Sequence, residues 1–124
     1  MKEFTILISD RNRNVREFLR RELELEGYHV EMAKSAREIL YWIYNKETVD
    51  LVILDPELFE AKEMSLLEKI SDRVPSLPLI LHAFSTDYPD TADVSSAVHF
   101  VEKKGSSIEH LKKVVSELLL RDEH

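Results

Sequence analysis

The order of apolar segments constrains this chain's fold more than any other feature. Runs of strand length alternate with segments whose apolar residues recur at helical spacing. Phe4-Thr5-Ile6-Leu7-Ile8 reads as a buried strand. From Asn14 to about Glu26, Val15, Phe18, Leu19 and Leu23 fall on one helical face, Asn14 with Glu17 resembles a capping box, and Gly27 supplies a left-handed stop. Tyr28-His29-Val30-Glu31-Met32 alternates like a half-buried strand, and Ser35-x-x-Glu38 opens a second helix with Ala36, Ile39, Leu40 and Ile43 on one face. Leu51-Val52-Ile53-Leu54 is continuously apolar, as a central parallel strand covered on both faces must be. Met64, Leu66, Leu67 and Ile70 place a third helix before Pro75, and Leu77-Pro78-Leu79-Ile80-Leu81 is the fourth strand. Residues 85–96 are polar and contain Pro89, so a fourth helix there is short or irregular. Val98-His99-Phe100-Val101 is the last strand, and Ser106-x-x-Glu109 caps a final helix bearing Ile108, Leu111, Val114, Val115, Leu118 and Leu119.

The resulting order, βαβαβαβαβα, demands an α/β fold: a doubly wound parallel sheet with helices on both faces, because each crossover must be right-handed. At 124 residues the chain has the length of one domain, read here as residues 1–121 with a short tail at 122–124. Only two glycines occur, Gly27 and Gly105, so a glycine-rich phosphate loop is excluded. The absence of cysteine excludes disulfides, thiol catalysis and Cys-ligated zinc. A net charge of −7 argues against binding to nucleic-acid backbone by this domain alone. The first apolar run meets Asp10 too soon for a signal peptide, and no stretch approaches a membrane span, so a cytoplasmic location is expected.

In an open α/β sheet the chemistry sits at the carboxyl ends of the strands. Ser9, Asp10 and Arg11 follow the first strand; Asp55, Pro56 and Glu57 follow the third; His82, Ala83 and Phe84 follow the fourth; Lys103 follows the fifth. Two acids and a lysine at these ends make a compact polar pocket.

Four of these pieces, in this order and at nearly this spacing, resemble the response-regulator receiver (CheY-like) family across almost the whole chain. They are Ile6-Leu7-Ile8-Ser9-Asp10 with Val15-Arg16-Glu17-Phe18-Leu19, the strand ending Leu54-Asp55, Pro78-Leu79-Ile80-Leu81-His82-Ala83, and Phe100-Val101-Glu102-Lys103. The resemblance implies a five-stranded, flavodoxin-like sheet in the order 2-1-3-4-5. It also implies that Asp55 accepts a phosphoryl group from a histidine kinase or a small phosphodonor. Lys103 would pair with the phosphoryl oxygens, the backbone N–H groups of Glu57 and Ala83 would donate to them, and His82 stands at the family's hydroxyl-residue position. Phe100 would be the aromatic that swings inward, and Mg²⁺ would sit on Asp10 and Asp55. Partners would be proteins, with homodimerisation through the face of the fourth helix, fifth strand and fifth helix.

Several residues depart from that pattern. Arg11 stands where the family usually has a second acid, His82 where it has Ser or Thr, and Lys104 where it has a proline. Phe59-Glu60 replaces a common Pro-Gly, and Glu63 and Ser96 stand where glycine is frequent. Asp10, Asp55, Arg11 and Lys103 sum to zero charge, with Glu57 adding −1 if it turns inward. Arg11 lying over Asp55 as a bidentate ion pair would imitate the metal: at about 4 Å and an effective dielectric of about 20 the attraction is roughly 4 kcal/mol before desolvation. With Arg11 and His82 both in place, Mg²⁺ binding on Asp10 and Asp55 and the rate of phosphotransfer are therefore both expected to be reduced or lost.

The leading reading is a phosphorylatable signalling receiver, not an enzyme, whose output is a changed protein-binding surface. A pseudo-receiver that docks partners constitutively is the alternative. A haloacid-dehalogenase-like phosphatase is set aside, because Asp10-Arg11-Asn12 lacks the second acid of that family's Asp-x-Asp. His82 is expected to be a hydrogen-bonded polar residue; Tyr41, Trp42 and Tyr44 are read as flanking the core, with an exposed aromatic partner patch as the alternative; Lys103-Lys104 and Lys112-Lys113 form a small basic cluster near the face receivers use for partners, or simply a solvated helix face.

Overall fold

The computed structural model describes residues 3–45, 49–58, 77–84, 98–104 and 107–120. Five strands, β1 (Thr5–Ser9), β2 (His29–Ala33), β3 (Leu51–Leu54), β4 (Leu79–Ala83) and β5 (Val98–Glu102), form one parallel sheet in the order β2-β1-β3-β4-β5. The described helices are α1 (Arg13–Leu25), α2 (Ala36–Asn45) and α3 (Ser107–Leu120), with a single 3₁₀ turn at Pro56–Leu58. The expected third helix, the polar stretch 85–96 with the fourth helix, and the positions of Phe59, Glu60, Glu63, Ser96, Gly105 and Ser106 lie outside the described residues, as does the tail.

Alternation along the strands sorts the core into two layers. Ile6, Ile8, Leu51, Ile53, Ile80 and Val101 meet Leu19 and Leu23 of α1 and Leu111, Val115 and Leu119 of α3. Leu7, Val52, Leu54, Leu79 and Leu81 face the other way, onto Ala36, Ile39 and Ile43 of α2. The central strands therefore need apolar side chains on both faces, which is why β3 reads as an unbroken apolar run. Trp42 and Leu40 pack half-buried against the α2 layer, while Tyr41 and Tyr44 lie on the exposed side of the helix.

Helix ends correct two details of the sequence reading. The α1 cap is Asn12, not Asn14: its side-chain oxygen accepts from the N–H groups of Asn14 at 2.8 Å and Val15 at 3.4 Å. At the other end Gly27 has φ +94°, and Tyr28 N–H donates to Leu23 C=O while Gly27 N–H donates to Glu24 C=O, a Schellman closure that requires the left-handed residue. Before α2, Ser35 Oγ accepts from Glu38 N–H at 3.2 Å, but the Glu38 carboxylate accepts from Lys34 N–H at 2.6 Å, one residue earlier than a standard box.

The fourth strand is displaced by two residues from its expected span, covering Leu79–Ala83. Pro78 has no N–H to give the ladder, so it stands at the strand's entrance, where its carbonyl accepts from Val52 N–H at 3.1 Å. The shift places His82 and Ala83 inside β4, opposite Val101 and Glu102 of β5. Three of the four lysines read as a basic cluster are paired with acids. Lys103 turns into the sheet end, Lys104 pairs with Glu102, and Lys112 joins α3 to α1 through Glu22 at 3.1 Å and Glu26 at 3.4 Å.

Candidate functional site

The carboxyl ends of β1, β3 and β5 bring Asp10, Asp55 and Lys103 together. Asp55 follows β3 directly, and its N–H donates to Ser9 C=O at 2.9 Å, which ties the two strand ends to each other. Asp10 and Asp55 are both 1% exposed, and a buried carboxylate needs a compensating charge. Lys103 supplies it. Its Nζ lies 2.8 Å from Asp10 Oδ2 and 3.2 Å from Asp55 Oδ2. Burial pushes the Asp10 carboxyl above the usual carboxylate range, against the opposing hydrogen bonds from Lys103 and from Asn12 N–H.

Local turns aim these groups. Asp10 Oδ1 accepts from Asn12 N–H at 2.9 Å, and the Asp10 carbonyl accepts from the Arg16 guanidinium at 2.7 Å, so the β1–α1 turn is pinned from both sides. Asp55 Oδ1 accepts from Glu57 N–H at 3.0 Å across the 3₁₀ turn. The second carboxylate oxygen, Oδ2, is left facing the cations.

Arg11 is the second of those cations. Its backbone N–H lies 3.5 Å from Asp55 Oδ2, its Nε 3.6 Å from the same atom, and its Nη2 pairs with the Glu57 carboxylate. The expected bidentate grip on Asp55 is therefore replaced by a bridge with one nitrogen to each acid. The reason is the 3₁₀ turn, which returns Glu57 to the mouth of the site, where it shares the guanidinium. Three acids against two cations leave the cluster at −1.

The remaining predicted residues surround this cluster unequally. The Ala83 carbonyl accepts from Lys103 N–H at 2.8 Å, which fixes the start of the lysine's stem at the sheet edge. Phe100 is half-buried against the α2 layer, on the opposite face from His82. His82 corrects an expectation: it is 5% exposed, and neither ring nitrogen has a hydrogen-bond partner among the described residues. Burial and the Lys103 charge lower its pKa to about 4, against a smaller pull from Asp55, so the ring is neutral at physiological pH. It lines a cavity of about 260 Å³ with Val15, Phe18, Phe84, Lys103 and Ile108. The sequence reading also missed Phe84 over the lysine, with Lys103 Nζ 5.7 Å from the ring centroid. Its place directly after the fourth strand was the available signal.

At this site a divalent cation would compete with two cations already in place. Mg²⁺ wants oxygen ligands in near-ideal octahedral array. Among the described residues no group of three His, Asp or Glu side chains is arranged to hold a metal. The two buried carboxylates already share one ammonium, and a guanidinium lies against the second oxygen of Asp55.

A strand-order 2-1-3-4-5 sheet with an acid pair and a lysine at its carboxyl edge defines a receiver-type signalling domain. Residues 6–116 match the model of the response regulator receiver domain, and the chain belongs to that family. Response regulator MprA of Mycolicibacterium vanbaalenii is 34% identical over 76 residues, 61% of this chain but only 32% of its own length. The response regulator TrrA of Thermotoga maritima, solved with Mg²⁺ and BeF, is 30% identical over 94% of this chain and 99% of its own, with a TM-score of 0.76. TrrA solved with the histidine kinase ThkA is 32% identical, covering 94% and 98%, with a TM-score of 0.72. The chain is a receiver domain of the two-component response-regulator type.

Proposed function

We propose that Asp55 is the phosphoacceptor of this receiver, and that phosphorylation changes a surface read by a partner protein. The single observation that carries this reading is the Lys103 ammonium held between Asp10 and Asp55, 3.2 Å from Asp55 Oδ2. A carboxylate attacks phosphorus readily only where the charge gathering on the transferred oxygens is met by fixed cations. Lys103 is such a cation, and being a point charge on a flexible stem it can follow the oxygens as they arrive. The Asp55 oxygen forms a bond to phosphorus while the donor's P–N bond breaks, leaving the electron pair on the donor imidazole.

The kinase–regulator complex of TrrA supports a histidine kinase as that donor. The backbone N–H groups of Glu57 and Ala83 are the further phosphate contacts in this reading, and Phe100 is the side chain whose packing would report the new charge. Neutral His82 stands beside the site as a neighbour of Lys103. The domain thus acts as a cytoplasmic switch and not as a turnover enzyme. The homodimer face expected from the family includes the segment before β5, which lies outside the described residues.

Intact-mass measurement after incubation with acetyl phosphate, with and without Mg²⁺, tests the assignment. Wild type is expected to gain one phosphoryl group and Asp55→Asn none. An unmodified wild type under both conditions, with folding intact, would leave the constitutive pseudo-receiver as the correct description.

A further inference from the structure

The residue that spoils the metal site is itself placed to do the metal's work. Arg11 reaches Asp55 Oδ2 with Nε at 3.6 Å, while Lys103 approaches the same oxygen at 3.2 Å. The Arg11 side chain is 53% exposed, so the guanidinium stands at the mouth of the site, where a phosphodonor enters. Its other arm is held by Glu57, whose N–H is bound to Asp55 Oδ1. Glu57 thus fixes the resting position of the cation without occupying the attacking oxygen.

We propose that Arg11 is a built-in cation that replaces the divalent metal, so that Asp55 accepts a phosphoryl group from an acyl phosphate without any metal ion. The proposal rests on Asp55 being the acceptor. In the step, an Asp55 oxygen bonds to phosphorus, the P–O bond to the acyl group breaks, and the carboxylate leaves with the electron pair. Phosphoryl transfer runs through a loose transition state whose charge lies on the equatorial oxygens, so positioning and electrostatics carry the catalysis. A guanidinium keeps its charge at every working pH and presents a planar fork that matches two of those oxygens. As the phosphoryl group arrives, the guanidinium exchanges the Glu57 carboxylate for phosphoryl oxygens and Glu57 is released at the surface. Lys103 remains on the inner side, between Asp10 and the new group.

Two measurements test this, and their failures are distinct from failure of the acceptor assignment. In acetyl phosphate with excess EDTA, wild type is expected to label within about twofold of its rate in Mg²⁺, since the guanidinium already supplies the fixed charge. Arg11→Ala is expected to lose about 100-fold in EDTA, the usual consequence of removing one fixed donor from such a site. Arg11→Asp should convert the site to metal dependence, labelling only with Mg²⁺. Independently of labelling, the thermal midpoint of wild type should be unmoved by Mg²⁺, while that of Arg11→Asp should rise with Mg²⁺ concentration. Wild-type labelling that disappears in EDTA, or a wild-type midpoint that climbs with Mg²⁺, overturns the proposal and leaves Asp55 as acceptor. No labelling of wild type under any condition removes the acceptor assignment, and the proposal falls with it.

Discussion

Lowering the pH from 7.5 to 5.0 should destabilise the domain through His82, and the loss can be isolated. The ring is buried without a hydrogen-bond partner among the described residues, and its pKa falls from 6.5 to about 4. Between those values the unfolded chain binds a proton that the folded chain refuses, so stability drops as the pH falls through this window. The full gap corresponds to about 3 kcal/mol, of which about 2 kcal/mol has gone by pH 5. Asp10, whose pKa is raised, works in the opposite direction, because its folded form takes up a proton first. That contribution is common to wild type and His82→Leu, so the difference between their pH dependences belongs to His82. The variant also removes two buried ring nitrogens that have no partner among the described residues, and should be about 1–2 kcal/mol more stable than wild type at pH 7.5. At pH 5.0 the advantage should widen to about 3–4 kcal/mol. Urea unfolding followed by the fluorescence of Trp42, the sole tryptophan, reads both numbers. An advantage that stays the same at both pH values would refute the reasoning, since it would mean that the folded protein accommodates the imidazolium.

Three further outcomes follow from local geometry. Lys103→Met leaves the buried Asp10 and Asp55 carboxylates without their shared ammonium, and should cost about 3 kcal/mol at pH 7.5 in urea unfolding. Gly27→Ala should cost about 1 kcal/mol by the same measurement; an added Cβ meets nothing within 4 Å, so the whole loss comes from the φ of +94°. Asn12→Ala should cost about 1 kcal/mol and Asn14→Ala much less, which separates the observed cap from the one expected at Asn14.

Much of the fold was legible because periodicity is a local property. The unbroken run Leu51–Leu54 identified a central strand, and the spacing of Leu19 and Leu23 identified the α1 face that covers the sheet. Strand ends were less legible. Pro78 lies within an apolar run, and only pairing with β3 and β5 moves β4 forward to include His82 and Ala83. The α1 cap was misplaced because both asparagines are good candidates, and the choice depends on where β1 releases the chain.

Taken by itself, the sequence determined the architecture and the company of residues at the sheet's carboxyl edge: Asp10, Asp55 and Lys103 each follow a strand, and parallel strands end on one side. The tertiary structure decided how those charges pair. Whether Arg11 gripped Asp55 alone or divided itself between two acids depended on the turn that brings Glu57 back to the site, and whether His82 found a partner depended on the layer its strand position assigned it. Hydrophobic pattern is written residue by residue, so it can be read along the chain. Electrostatic pairing depends on distances between segments far apart in sequence, and those exist only once the sheet has formed.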